Sequence, residues 1–268
     1  MTGGTRQVSR VDWRDGQRLS DTDSIAIETP VALAYNGISH VVTMATPSDL
    51  EDLALGFSLS EGIIDLPEQL LDCELLERER GIEMALRITA EHFARLKERR
   101  RNLTGRTGCG LCGLESLEHA IPEPVVVHAN SAVSHAAVER AVSAMNAAQP
   151  LKQLTGGVHG AAWCSLTGVI EMAREDVGRH NALDKLLGAL ARDDHASQGF
   201  ALVSSRASYE MVAKVAARDI PILATVSAPT SLAVEHAAAC GLTLISFVQS
   251  GRQVIYTCPE RVLEEAPA

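Results

Sequence analysis

Aromatic residues make up only 3% of the 268-residue chain, so a platform that stacks nucleobases on successive rings is not expected. Positive charge is also in deficit: 24 Lys and Arg stand against 34 Asp and Glu, a net charge of −10. Binding a polyphosphate backbone requires a basic face. No nucleic-acid partner is therefore expected, and any anionic ligand must be met by a local cluster. No apolar run approaches the roughly 18 residues of a membrane span. The first thirty residues mix Arg and Asp without an apolar segment, so neither a span nor a signal peptide is expected and the expected location is cytoplasmic. Six cysteines in a chain of this length do not form the dense framework of a small secreted domain and are expected to be free or functional.

What is present is an ordinary globular balance, 46% hydrophobic and 22% charged, with enough length for a large domain and a smaller companion. Its most unusual stretch is Gly105-Arg106-Thr107-Gly108-Cys109-Gly110-Leu111-Cys112-Gly113. Four glycines around two thiols are incompatible with a packed strand or helix interior, so a mobile or tightly turning loop is expected over 105–114. Arg106 and any free backbone N–H groups of the turn favour the reactive thiolate. A sulfur-handling loop leads the readings. A metal knuckle lacks a second close Cys or His pair, because Cys73, Cys164, Cys240 and Cys258 are single and scattered. A thioredoxin-type dithiol would follow a strand, whereas the charged run Arg95 to Arg101 precedes this one, and a purely structural turn leaves two cysteines unexplained.

Met1 to about Ser24 is polar and aperiodic and reads as a loose segment. From Ile25 to Met44 two strands flank the hairpin signal Asn36-Gly37. Thr46 to Asp49 starts a helix carrying Leu50, Leu53, Ala54 and Phe57 on one face. Leu71–Leu76 and Ile82–Ile88 read as strands and Glu91–Arg101 as a helix, so residues 25–104 form a small α+β subdomain. Over 115–268 strands and helices alternate: helices at Ser134–Ala148, Asn181–Arg192, Tyr209–Arg218 and Ser231–Cys240, strands at Gly160–Cys164, Val169–Ala173, Phe200–Val203, Ile222–Val226 and Leu242–Val248, and an edge strand at Val254–Thr257. The expected fold class is α/β, a mainly parallel sheet covered by helices on both faces.

Ligands of such sheets bind beyond the carboxyl ends of the strands. Those ends run into Ser204-Ser205-Arg206, Ser227 to Ser231, and Gln249-Ser250-Gly251-Arg252, where hydroxyls, glycine and arginine suit a phosphate-bearing ligand; Ser231 or Thr230 can equally cap a helix. His159 and His180 lie in glycine-bearing turns at element ends, in Thr155-Gly156-Gly157-Val158-His159 and in Arg174 to Asn181. Either can be a ligand contact or a hydrogen-bonded structural residue. Asp176 with Arg179 can form a buried ion pair that holds its loop.

Taken together, Arg106 to Gly113, Thr155 to His159, Glu175 to Lys185, Ser204 to Arg206 and Phe247-Val248-Gln249-Ser250-Gly251-Arg252 resemble the FdhD-type formate dehydrogenase accessory sulfurtransferases, over nearly the whole chain. The resemblance implies a cytidine deaminase-like layered fold. It also implies that sulfur from a cysteine desulfurase is accepted as a persulfide on Cys109, supported or relayed by Cys112. Delivery is then to the molybdenum or tungsten of a bis(molybdopterin guanine dinucleotide) cofactor, for formate dehydrogenase. Phe247 to Arg252 corresponds to the family's cofactor-binding segment, which agrees with the strand-end reading, and on that reading of the residues Ser204, Arg206, His159 and His180 are expected as further contacts. A homodimer is implied, and no permanently bound metal. The deaminase zinc signature is missing, since Gly160-Ala161 follows His159 and no proline precedes the cysteine pair. A non-catalytic carrier of the cofactor and a zinc-stabilised nucleotide-binding enzyme are the competing readings.

Overall fold

The segment expected to be loose at the N-terminus is a β-hairpin. In the computed structural model, which describes residues 4–104, 123–193 and 198–264, β1 (Thr5–Arg14) and β2 (Gln17–Ala26) pair antiparallel from Thr5↔Ala26 to Arg14↔Gln17. Asp15 and Gly16 turn between them with φ of 52° and 77°, the left-handed pair that a two-residue hairpin turn requires. The arm is mostly exposed and buries no face, so its strands carry no alternation of apolar residues, and that is why the pattern looked aperiodic. Arg10 Nη1 lies 2.7 Å from Asp23 across the pair.

The small α+β unit follows as expected. β3 (Thr29–Tyr35), β4 (Ile38–Ala45), β5 (Leu70–Arg78) and β6 (Gly81–Ile88) form a four-stranded sheet in the order β4-β3-β6-β5, parallel only between β3 and β6. Alternate residues Val31, Leu33 and Tyr35 with Met84, Leu86 and Ile88 are buried against α1 (Leu50–Ser60), chiefly Leu50, Leu53 and Leu59. The helix α2 (Ala90–Thr104) adds Leu96 to this core.

The larger unit is a six-stranded sheet in the order β13-β12-β11-β10-β8-β9. Its centre, β10 (Gly199–Val203), β11 (Ile222–Thr225) and β12 (Thr243–Gln249), is parallel; β8 (His159–Ser165), β9 (Ile170–Asp176) and β13 (Arg252–Ile255) join antiparallel. The sheet is thus mixed rather than mainly parallel. Helical crossovers, α6 (Tyr209–Ala216) and α7 (Ser231–Cys240), connect only the central strands, whereas β8–β9 and β12–β13 are hairpins, and a hairpin can only be antiparallel.

Helices cover both faces, as the alternation demands. Ala162, Cys164, Phe200, Leu202, Ile222, Ala224 and Ile245 face α3 (His135–Met145) through Val138, Ala141 and Met145. Their neighbours Ala161, Trp163, Ala201, Val203, Leu223 and Leu244 face α5 (Arg179–Arg192), α6 and α7. The α3 helix is capped by Ser134, whose side chain accepts from Ala137 N, and Thr230 rather than Ser231 caps α7. The short helix α4 (Pro150–Thr155), opened by its proline, and a parallel pairing of β7 (Val133–Ser134) with β14 (Val262–Leu263) complete the unit.

The two units are locked through α1 and α5. A Cβ at Gly56 would overlap the Asp184 carbonyl, and one at Gly188 the Asp52 carbonyl, so glycine is needed for these backbones to touch. Beside the crossing, Lys185 Nζ lies 2.7 Å from Asp176 Oδ2, both fully buried. The pair reaches into the small unit, where Thr46 N donates to Asp176 Oδ2 (3.0 Å) and Lys185 Nζ donates to Thr46 O (2.9 Å). Asn181 Nδ2 donates to Met44 O and to Asp176 Oδ1. The ion pair expected between Asp176 and Arg179 is therefore made with Lys185, because one α-helical register brings Lys185 inward and leaves Arg179 at the helix start.

Candidate functional site

The ends of β10, β11 and β12, the start of β8 and the end of β9 share one edge of the large sheet. Ser204 N donates to Gly160 O (2.9 Å) and Gly160 N to Ser204 Oγ (2.9 Å). Ser227 N donates to Ser205 O and Phe247 N to Ser227 O, which carries the row across to β12. At the other end His159 pairs with Asp176, and Arg179 and His180 open α5 just beyond. Three of the stretches expected from sequence, 159–160, 204–206 and 227–230, are thus neighbours through their backbones, and 247–252 continues the line.

The 247–252 stretch is shaped by a break in β12. Phe247 takes φ 54°, and the register with β13 shifts between Ser246 and Gln249. That bulge sends Val248 into the core under α3, with no exposed surface, so its side chain is removed from any ligand. Phe247 keeps part of its ring at the surface, and the Arg252 guanidinium sits 5.0 Å from the ring centroid. Ser250 Oγ and Gly251 N both donate to Glu139 Oε1 on α3 (3.1 and 2.8 Å), which fixes the turn. Gln249 and Arg252 are exposed, as is Arg206 beside Ser205.

The two histidines separate. His159 stands at the row itself; burial and then the charges of Arg179 and Lys152 hold its pKa below the ordinary value, so it is neutral near pH 7. His180 turns instead into the cleft between the two units. There its Nε2 lies 3.0 Å from Glu210 Oε2, misaligned for a hydrogen bond, in a cavity of about 470 Å3 lined also by Thr43, Phe57 and Lys214. Burial and then Arg179 lower its pKa, with Glu210 opposing. Asp184 and Lys214 form a 3.0 Å pair behind it, tied to Ser60 and Glu61 at the end of α1.

Two donors at this edge escaped the sequence reading. Arg179 Nε and Gln149 Nε2 are buried without a hydrogen-bond partner, and the Gln149 amide packs where a Cβ on Gly160 would stand. Arg179 lies inside the Glu175–Lys185 stretch, which marked the region but not the role; nothing local marks Gln149. With Arg206 and Arg252, the edge offers cations and neutral donors together, a donor set suited to a phosphate-bearing ligand. Among the described residues no group of three or more His, Cys, Asp or Glu side chains is arranged to hold a metal ion.

Cys109 and Cys112 lie outside the described residues. On either side of them Arg99, near the end of α2, and Glu123 line one cavity of about 460 Å3 with Lys214, Tyr209, Arg218 and His236. Arg99 Nη1 donates to Glu61 O there (3.1 Å). Among the other four cysteines, burial pushes Cys73 up to about 11 and Cys164 up to about 12 and also raises Cys240. Such thiols are weak nucleophiles at neutral pH.

Compared with known proteins, residues 26–263 match the sequence profile of the FdhD/NarQ family. The chain belongs to that family. Among curated FdhD/NarQ relatives, the "Sulfur carrier protein FdhD" of Cupriavidus necator is 51% identical over 266 residues, covering 99% of this chain and 92% of its own. That of Xanthomonas campestris pv. campestris strain B100 is 49% identical over 250 residues, covering 93% and 89%. A solved structure, a putative formate dehydrogenase accessory protein from Desulfotalea psychrophila, superposes with a TM-score of 0.74 at 26% identity, covering 97% of this chain and 100% of that one. The matched FdhD/NarQ region begins at the end of β2, so the N-terminal arm lies almost wholly outside it.

Proposed function

We propose that the chain is a sulfurtransferase for formate dehydrogenase. In this reading it accepts sulfur on Cys109 from a cysteine desulfurase and passes it to a bis(molybdopterin guanine dinucleotide) molybdenum or tungsten cofactor, which is its substrate. The observation that carries the reading is the strand-end edge, where Ser204, Arg206, Arg179, His159 and the Phe247–Arg252 pair stand in one row. The names of the relatives support sulfur carriage, and the raised thiols of Cys73, Cys164 and Cys240 support the paired cysteines as the reactive ones.

In the first step the Cys109 thiolate attacks the outer sulfur of the desulfurase persulfide. That S–S bond breaks, the desulfurase leaves as a thiolate, and Cys109 holds the new persulfide. Cys112 supports or relays it. At the sheet edge, Arg206 and Arg252 take up diphosphate charge, Ser204 and backbone N–H groups donate to phosphate oxygens, and neutral His159 donates or accepts at one ring nitrogen. The Arg252 guanidinium lies over the Phe247 ring, and the outer face of that planar cation suits stacking of a base. On delivery the S–S bond of the Cys109 persulfide would break with Cys109 leaving as its thiolate, and the two electrons that take the sulfane sulfur to sulfide would come from the reduced metal of the bound cofactor. The protein works with the desulfurase as donor and formate dehydrogenase as recipient, as a homodimer.

Cys109→Ala is expected to abolish sulfane-sulfur loading and the maturation of formate dehydrogenase in cells while leaving binding of GDP, a surrogate for the cofactor's nucleotide, unchanged. Loading that persists in the variant refutes the role of Cys109. Full formate dehydrogenase activity with an unloadable chain would favour a non-catalytic carrier.

A further inference from the structure

At the opposite edge of the large sheet, where β10 and β11 begin, a cavity of about 340 Å3 opens beneath the end of α5. Its size falls in the range of small-molecule sites, about 300–1,000 Å3. Leu187, Leu190, Ile220 and Pro221 give it an apolar side, and Asn130, Ser131 and Gln198 also line it. Within it lies Trp163, 7% exposed, whose indole Nε1 is buried with no hydrogen-bond partner. The N–H edge of the ring is the one against Gly199, because a Cβ on that glycine would press on Cε2 and Cζ2, and Gly199 also lines the cavity. A buried tryptophan normally finds an acceptor for this proton.

Arg218 lines the same space. Its guanidinium has no hydrogen-bonding or ionic partner among the described residues, and burial alone lowers its pKa. A guanidinium stays charged at neutral pH, so this is a half-buried cation lacking a counter-ion. The neighbouring carboxylate, Asp219, is already engaged: its Oδ1 accepts from His128 N and Ala129 N at 2.6 and 3.1 Å. One cation and one neutral N–H beside the apolar side formed by Leu187 and Leu190 match a monoanion with a hydrocarbon body rather than a polyphosphate, which needs several cations.

We propose that this cavity binds a small organic carboxylate, its oxygens taken by Arg218 and the Trp163 indole N–H and its apolar body laid against Leu187 and Leu190. The site shares no residue with the strand-end row, although Arg218 also lines the cavity shared by Arg99 and Glu123, and the proposal does not rest on the sulfur-transfer reading.

The test uses the intact chain carrying Trp13→Phe, which leaves Trp163 as its single tryptophan, since the sequence has two. Benzoate is titrated against Trp163 emission, with benzamide as its uncharged counterpart. The expected result is a saturable change with benzoate, about tenfold or more weaker with benzamide and in Arg218→Gln. A non-saturating response, or benzamide binding as tightly as benzoate, overturns the proposal. Should Arg218→Gln fail to fold, judged by its thermal melt, the contrast between the two probes in the parent decides alone.

Discussion

Two sets of polar residues lie around the start of α5 and the β8–β9 pairing beside it, and they have opposite fates. Asp176 and Lys185 are sealed, fully buried and bonded to the backbone of the small unit. His159, Arg179 and His180 remain half-exposed, and two of their ring or guanidinium nitrogens lack a hydrogen bond. The first set uses charge to fix how two units meet; the second leaves donors available. A stretch as distinctive as Glu175–Lys185 is thus partly architecture and partly site. Only the geometry separates the two, since residue type does not.

The sharpest way to break this contrast is Lys185→Met, which strands Asp176 in the interior. We expect a loss of about 3–5 kcal/mol, read as a lower urea midpoint. The double variant Asp176→Leu with Lys185→Met is expected to lose less than the two single changes summed. An additive pair would mean that the ion pair does not couple the units. Next comes Gly56→Ala at the α1–α5 crossing. Overpacking against backbone costs about 1–3 kcal/mol, partly offset by about 1 kcal/mol of helix propensity. The net effect should be a lower melting temperature, and an unchanged or higher one would contradict the contact.

On the open side, Arg252→Ala should weaken GDP binding about tenfold, about 1.4 kcal/mol, while shifting stability by no more than about 0.5 kcal/mol. Calorimetry showing unchanged affinity would take Arg252 out of the site. The smallest effect is a pH slope. His159 and His180 have folded pKa values below the ordinary one, so the unfolded chain takes up protons first as pH falls. Their contribution is full above about 6.5 and lost as pH drops through that value towards the folded pKa. Stability should decline between pH 7.5 and 5.5, and His159→Gln with His180→Gln should flatten the decline. An equal slope in the double variant would show that neither histidine is held neutral by the fold.

The central strands were legible because each buries both faces and carries a continuous apolar run, as Phe200–Val203 and Ile222–Ala224 do. The N-terminal arm was not, since strands with no buried face leave no period; Asp15-Gly16 was the one sign available. The mixed pairing went unseen because residue pattern marks strands but not which connections are hairpins. Most of the strand-end row could be read, from polar residues placed just after apolar runs. Val248 could not, because the bulge at Phe247 alters which side chains face inward. Nothing around Lys185 in the sequence marks it as buried, and only the fold brings Thr46 and Asp176 to it. His180 looked like a member of the row until Glu210 drew it into the cleft between the units.

The central claim is that sulfur is carried on Cys109. The direct measurement is to incubate the purified chain with a cysteine desulfurase and free cysteine, then locate added sulfur by intact and peptide mass spectrometry. The account predicts a reductant-labile gain of about one sulfur atom on the peptide containing Cys109. No gain on either Cys109 or Cys112, with the desulfurase shown active on another acceptor, would contradict it.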